Sequence, residues 1–132
     1  MRITGGVLSG WSYPKGFASH VRPSTDRVRE SLFNLLNHRW PISGCRVLDL
    51  FSGSGIIAGE FLSYGADEVI SVDRDFKNIQ YQKRFNPNQK HLRIGKSKRE
   101  MSLHFYLRIP SYLISYLRIH LMIYLTYKSS RI

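Results

Sequence analysis

The chain has 132 residues, 42% hydrophobic and 13% aromatic, enough core-forming sequence for one domain and incompatible with a disordered or collagen-like chain. Its formal charge of +11 points to a polyanionic partner, yet residues 1 to 75 carry 8 Lys/Arg against 8 Asp/Glu, and residues 76 to 132 carry 12 basic residues against one acid, Glu100. A single cysteine, Cys45, excludes an internal disulfide, no Cys/His set has zinc-ligand spacing, and no apolar run of signal-peptide length follows Met1-Arg2-Ile3. These features predict a cytoplasmic protein without a metal, in which Cys45 is a small buried hydrophobe.

In chain order, the first twenty residues place Gly5, Gly6, Gly10, Pro14 and Gly16 between short apolar stretches, which suits an extended arm or hairpin better than a helix. Pro23-Ser24-Thr25-Asp26 offers N-cap chemistry and an acid for a first helical turn. Val28, Leu32, Leu35 and Leu36 then follow at i, i+4, i+7 and i+8, predicting an amphipathic helix to about Asn37 with these four on its buried face. After Pro41 and Gly44, Arg46-Val47-Leu48-Asp49-Leu50 reads as a short buried strand, and Phe51-Ser52-Gly53-Ser54-Gly55 as a glycine loop. Residues 56 to 64 have helical character ended by Gly65, and Glu68-Val69-Ile70-Ser71-Val72 reads as a second strand reaching Asp73. Strand, glycine turn, helix and strand make a βαβ unit with parallel strands.

Asp49, the glycine loop and Asp73 are the residues with the most specific chemistry. Gly53 and Gly55 allow a sharp turn and close approach of a ligand, in front of the free N–H groups of a helix N-terminus. Asp73 lies 20 residues after Gly53, at the tip of the next strand, where it is placed to accept hydrogen bonds from two ribose hydroxyls. Asp49 puts a negative charge beside the loop, which repels a pyrophosphate and suits the ammonium of S-adenosyl-L-methionine.

The run Arg22-Pro23-Ser24-Thr25-Asp26-Arg27-Val28-Arg29-Glu30-Ser31-Leu32-Phe33-Asn34-Leu35-Leu36, followed by Val47-Leu48-Asp49-Leu50-Phe51-Ser52-Gly53-Ser54-Gly55, resembles the RsmD-type rRNA guanine-N2 methyltransferases of bacteria. The resemblance extends from Met1 to about residue 80 and takes in Gly65-Ala66-Asp67-Glu68-Val69 and Val72-Asp73-Arg74-Asp75. It implies an α/β class I methyltransferase fold, a Rossmann-like doubly wound parallel sheet that is incomplete in this chain. An N-terminal arm at 1–22 would precede a partial methyltransferase domain at 23–80 and an atypical basic and apolar tail at 81–132. The implied activity is S-adenosylmethionine-dependent methylation of a guanine N2 in small-subunit rRNA, free or in the assembling subunit, by a monomer. Carried over by position, Asp49, Phe51, Gly53, Ser54 and Gly55 would line the methionine end of the cofactor and Asp73 would hold its ribose. Arg22, Arg27, Arg29 and Asn34 would lie beside the active-site mouth and meet RNA, although Arg27 and Arg29, with Asp26 and Glu30, also fit a solvated, salt-bridged helix face.

No catalytic side chain is assigned. The family's Asp/Asn-Pro-Pro-Tyr/Phe motif, which would orient a target amine and stack on its base, is absent, and Asn86-Pro87-Asn88 is the nearest string. Asp, Glu, Gly, Ala and Val, whose codons begin with guanine, number 26 in residues 1 to 75 and 2 in residues 76 to 132. This bias predicts a change of reading frame between about Lys77 and Gly95, with a catalytically dead chain as the result. The tail can also be drawn as a helix after Pro110, on the i+4 series Leu113, Leu117, Leu121 and Leu125, and a basic membrane-surface helix stays open. So do a nicotinamide-dependent oxidoreductase fragment and a non-enzymatic RNA-binding module resting on the basic cluster at residues 90 to 99. Two parallel strands alone would leave sheet edges unpaired, which predicts aggregation.

Overall fold

The computed structural model describes residues 1–19, 24–96 and 123–127. The arm is a hairpin: Tyr13 N–H donates to Met1 O, Ile3 N–H to Trp11 O and Gly10 N–H to Ile3 O, with a 3-10 turn at Gly6–Leu8 at its tip. Helix α1 spans Asp26–Arg39, and Thr25 Oγ1 accepts from Val28 N–H as its N-cap. Strand β1 is Cys45–Leu50, helix α2 Ile56–Ser63 and strand β2 Glu68–Asp73. β1 and β2 are parallel, with Arg46 opposite Glu68 and Leu50 opposite Val72. Gly65, in the left-handed region at φ +89°, ends α2, and Ala66 N–H donates back to Phe61 O.

The chain then continues in regular structure beyond the expected boundary at residue 80. Helix α3 spans Phe76–Phe85, N-capped by Asp75 Oδ1 on Lys77 N–H, and strand β3, Leu92–Lys96, adds to β2 in parallel register. Residues 76 to 96, most of which fall beyond the earliest expected frame change, therefore extend the βαβ unit by a second helix and strand. Strand β4, Ile123–Tyr127, pairs antiparallel with β1, giving the order β3-β2-β1-β4. The sheet is thus mixed rather than wholly parallel, and β1 and β2 both have a neighbour on each side. The helix drawn after Pro110 is corrected at Leu125, which lies in β4 opposite Val47; residues 97 to 122, including the rest of that series and the last three residues of the basic cluster, lie outside the described residues.

The main core joins α1, α2 and the sheet through Phe33, Cys45, Val47, Ala58, Phe61, Leu62 and Val69. Phe33 meets the Phe61 ring edge-on at 4.7 Å and stacks on Tyr64 at 5.6 Å. The buried face of α1 is only partly the expected one: Leu32 and Leu36 pack against this core, but Val28 is 57% and Leu35 52% exposed, and the fully buried residues are Arg29 and Phe33. Burying an arginine requires a partner carboxylate, and Glu60 on α2 supplies it, accepting from Arg29 Nε at 3.2 Å. A second cluster, Ile3, Tyr13, Ile56 and Tyr81, seats the arm on α2 and α3.

Candidate functional site

The carboxyl ends of β1 and β2, the loop at residues 51 to 55 and the start of α3 meet at one place. Asp73 is the staple of this corner. Its Oδ2 accepts from Gly53 N–H at 2.7 Å, and its Oδ1 accepts from Asp75 N–H at 2.7 Å and from Asn78 Nδ2 at 3.4 Å. A carboxylate offers about four acceptor positions, so three are used within the protein and about one is left for a ligand. Two ribose hydroxyls on Asp73 would therefore have to share acceptor positions that already serve Gly53, Asp75 and Asn78.

Asp49 differs from Asp73. It is 3% exposed, and its Oδ2 has no hydrogen-bond partner within the protein. Burial, and next the nearby Asp73 charge, push its pKa up to about 7, against a smaller opposing pull from the Ala58 backbone N–H in the first turn of α2. A buried carboxylate with an unused oxygen beside a helix N-terminus fits a cationic ligand group, the chemistry that the ammonium of S-adenosylmethionine would supply.

The loop between these two acids has an unusual backbone. Phe51 has φ +61°, a conformation that bulky residues rarely adopt, and its ring is 75% exposed at the mouth of the corner. Gly55 has φ +75° and forms the N-cap of α2. A Cβ there would lie 2.7 Å from Gln82 Cγ, so the close approach that excludes a side chain is made by α3. Ser54 is buried and its hydroxyl donates to Met1 Sδ at 3.4 Å, so its side chain faces the arm and its backbone is the part available to a ligand.

Of the residues expected at the RNA side, Arg27 and Asn34 are exposed on α1, and Arg22 lies outside the described residues. Arg29 is corrected. It is 0% exposed, and four of its five N–H donors are engaged within the protein: Nε to Glu60, Nη1 to Ser24 O, and Nη2 to Arg2 O at 2.7 Å and Asp26 Oδ1 at 2.6 Å. It ties α1 to α2 and the arm. Two residues of the corner were not anticipated, Asn78 and Gln82, both buried on α3; the available signal was two amides at i and i+4 on the helix that follows Asp73. Among the described residues no group of three or more His, Cys, Asp or Glu could hold a metal ion.

The profile of the family described as Conserved hypothetical protein 95 matches residues 1–112. The chain belongs to this family. Its relatives there are methyltransferases of the RsmD/YlbH group: the Bacillus subtilis (strain 168) protein named "Putative rRNA methyltransferase YlbH" is 39% identical over 107 residues, 79% of this chain and 57% of that protein. Ribosomal RNA small subunit methyltransferase D of Escherichia coli (strain K12) is 40% identical over 75 residues, 57% of this chain and 37% of that protein. Among solved structures, yhhF from Escherichia coli superposes with a TM-score of 0.63 at 34% identity, over 74% of this chain and 52% of that one. A hypothetical protein of Thermus thermophilus gives a TM-score of 0.63 at 31% identity, over 74% and 55%. The matched part spans between 37% and 57% of the length of these family members. The fold, α/β with three parallel strands, is thus shared with methyltransferase structures.

Proposed function

We propose that the chain binds S-adenosyl-L-methionine as the donor-binding half of an enzyme that methylates a guanine N2 in small-subunit rRNA. The observation that carries this reading is the buried Asp49 carboxylate with its unpartnered Oδ2, at the end of the strand that leads into a glycine loop held by Asp73. When bound, the cofactor supplies an electrophilic methyl group on a sulfonium. Asp49 accepts its ammonium, the backbone at Gly53 and Gly55 borders its methionine end with the exposed Phe51 ring, and the remaining acceptor position of Asp73 takes a ribose hydroxyl. A nicotinamide dinucleotide suits the corner poorly, because its pyrophosphate would face the carboxylates of Asp49 and Asp73. Arg27 and Asn34 on the exposed side of α1, with Arg22 just before it, would meet the RNA phosphates. The 132 residues contain no Asp/Asn-Pro-Pro-aromatic group that would orient the guanine amine, so the part of the reaction argued from them is donor binding.

Calorimetric titration of the purified chain with S-adenosylhomocysteine and, in parallel, with NADH tests this. Saturable binding of the first only, abolished by Asp73→Ala, is expected. A chain that unfolds cooperatively yet binds no S-adenosylhomocysteine would overturn the reading.

A further inference from the structure

Gln82 lies at the centre of the glycine-loop corner without being part of any motif. It is 0% exposed, and every polar atom of its side chain is engaged. Nε2 donates to Ser52 Oγ at 2.8 Å and to Gly53 O at 2.9 Å, while Oε1 accepts from Ser71 Oγ at 2.6 Å in the middle of β2. Ser52 Oγ in turn donates to Val72 O at 3.2 Å, so the amide joins α3, β2 and the loop in one closed network. The stem of the same side chain fills the space that a Cβ at Gly55 would need. Loop residues 52 to 55 are thus fixed on one side by Asp73, through Gly53 N–H, and on the other by Gln82, through Gly53 O.

From this geometry we infer that Gln82 is a positioning residue that sets the conformation of the glycine loop, and so the affinity for the methyl donor, through its Nε2 bonds to Ser52 and Gly53. The inference rests on the proposed donor-binding role of the loop, but the clamp itself is a property of the protein alone. Both Nε2 bonds require a donor. A carboxylate at position 82 keeps the shape and still accepts from Ser71, but presents an anionic oxygen to Gly53 O, with Asp73 and Asp49 as the other acids of the corner. Protonation of that carboxylate restores one donor.

The test is Gln82→Glu in the full chain, read in two ways. First, amide hydrogen exchange of the segment at residues 51 to 56, without ligand at pH 8, is expected to be at least tenfold faster than in the unsubstituted chain. Second, the S-adenosylhomocysteine dissociation constant, taken as a ratio to the unsubstituted chain at each pH, is expected to be tenfold or more at pH 8.5 and to fall toward one near pH 6. A merely space-filling role for Gln82 would give no such recovery. Unchanged exchange together with a ratio near one at pH 8.5 would overturn the inference. Faster exchange in Gln82→Glu, with no S-adenosylhomocysteine binding by the unsubstituted chain, would retain the clamp and overturn the donor-binding reading instead. Should Gln82→Glu fail to fold, Gln82→Met combined with Ser71→Ala removes the donor while keeping the volume and leaving no unpaired Ser71 hydroxyl. The same loss of loop protection is expected from that pair, and native protection in it would overturn the clamp.

Discussion

Asp49 links stability to pH through a single side chain. Folding raises its pKa from the ordinary carboxylate range to about 7, mainly by burial and secondarily by Asp73, so in the window between these values the native state keeps a proton that the unfolded chain has released. Its contribution to stability is full below about pH 4 and is lost as the pH rises through 7. Asp49→Asn removes that loss, so the variant is expected to gain stability over the unsubstituted chain on going from pH 5.5 to 8.5, by a few kcal/mol at most. Urea unfolding of both proteins at the two pH values measures the difference, and a gap that does not grow with pH would show that Asp49 titrates like a solvated carboxylate. The motif identified Asp49 as a charge beside a loop. That its second oxygen is unpartnered follows from α2 and β2 closing over it, which no local pattern encodes.

At the scale of elements, Arg29 and Glu60 illustrate how tertiary packing selects a helix face. Of the Val28, Leu32, Leu35 and Leu36 series, Leu32 and Leu36 reach the core, yet α1 is rotated enough to expose Val28 and Leu35 and to point Phe33 and Arg29 inward. The reward is the aromatic contact of Phe33 with Phe61 and Tyr64, together with a buried carboxylate that holds three elements: Glu60 accepts from Arg29 Nε and from both the N–H and the hydroxyl of Thr4 in the arm. Removing one partner of such a buried pair strands the other charge, at a cost of about 3–5 kcal/mol. Arg29→Met is therefore expected to lower the unfolding free energy by that order, whereas Arg27→Ala, on the exposed side, changes it by about 0.5 kcal/mol or less. Chemical denaturation decides between the two roles: an Arg29 variant of native stability that loses only RNA affinity would return this residue to the surface. On the sheet, Glu68 plays a comparable but more exposed part, bridging Arg46 on β1 at 2.6 Å and Arg93 on β3 at 2.5 Å.

For the molecule as a whole, the corner built by β1, β2, α2 and α3 and the arm that spans α2 and α3 are coupled. Ala18 N–H donates to Asn78 Oδ1 at 3.0 Å, Asn78 reaches Asp73, and Asp73 holds Gly53. A ligand seated on Asp49 and Asp73 thus contacts the elements that carry the global fold, and its binding energy adds to the stability of the native state. At 100 times its dissociation constant a ligand contributes about 2.7 kcal/mol, which for a domain of this size corresponds to roughly 10–20 °C in Tm. S-adenosylhomocysteine is expected to raise the melting temperature by that order in a thermal scan, and a shift confined to local probes of the loop, with Tm unchanged, would mean that the corner opens independently of the rest. Pairing of β1 with both β2 and β4, and of β2 with both β1 and β3, covers the edges that a lone βαβ unit would present and moves the sheet edges to β3 and β4.

The βαβ unit, its boundaries to within a residue or two, the arm hairpin, the cap at Thr25 and the two acids of the corner were legible in the sequence, because each rests on local chemistry: alternation of apolar runs, turn glycines, N-cap side chains and the spacing of acids from a glycine loop. Helix α3 and strand β3 were obscured because the basic composition after residue 76 masks a short amphipathic pattern whose buried face mixes two amides, Asn78 and Gln82, with Ile79 and Tyr81. Strand β4 depends on a partner far away in sequence, β1, and its segment reads equally well as a helix. The rotation of α1, the burial of Arg29 and the closed network around Gln82 were decided only by tertiary structure, since each arises when groups far apart in the chain must satisfy one another's charge or hydrogen bonds away from water.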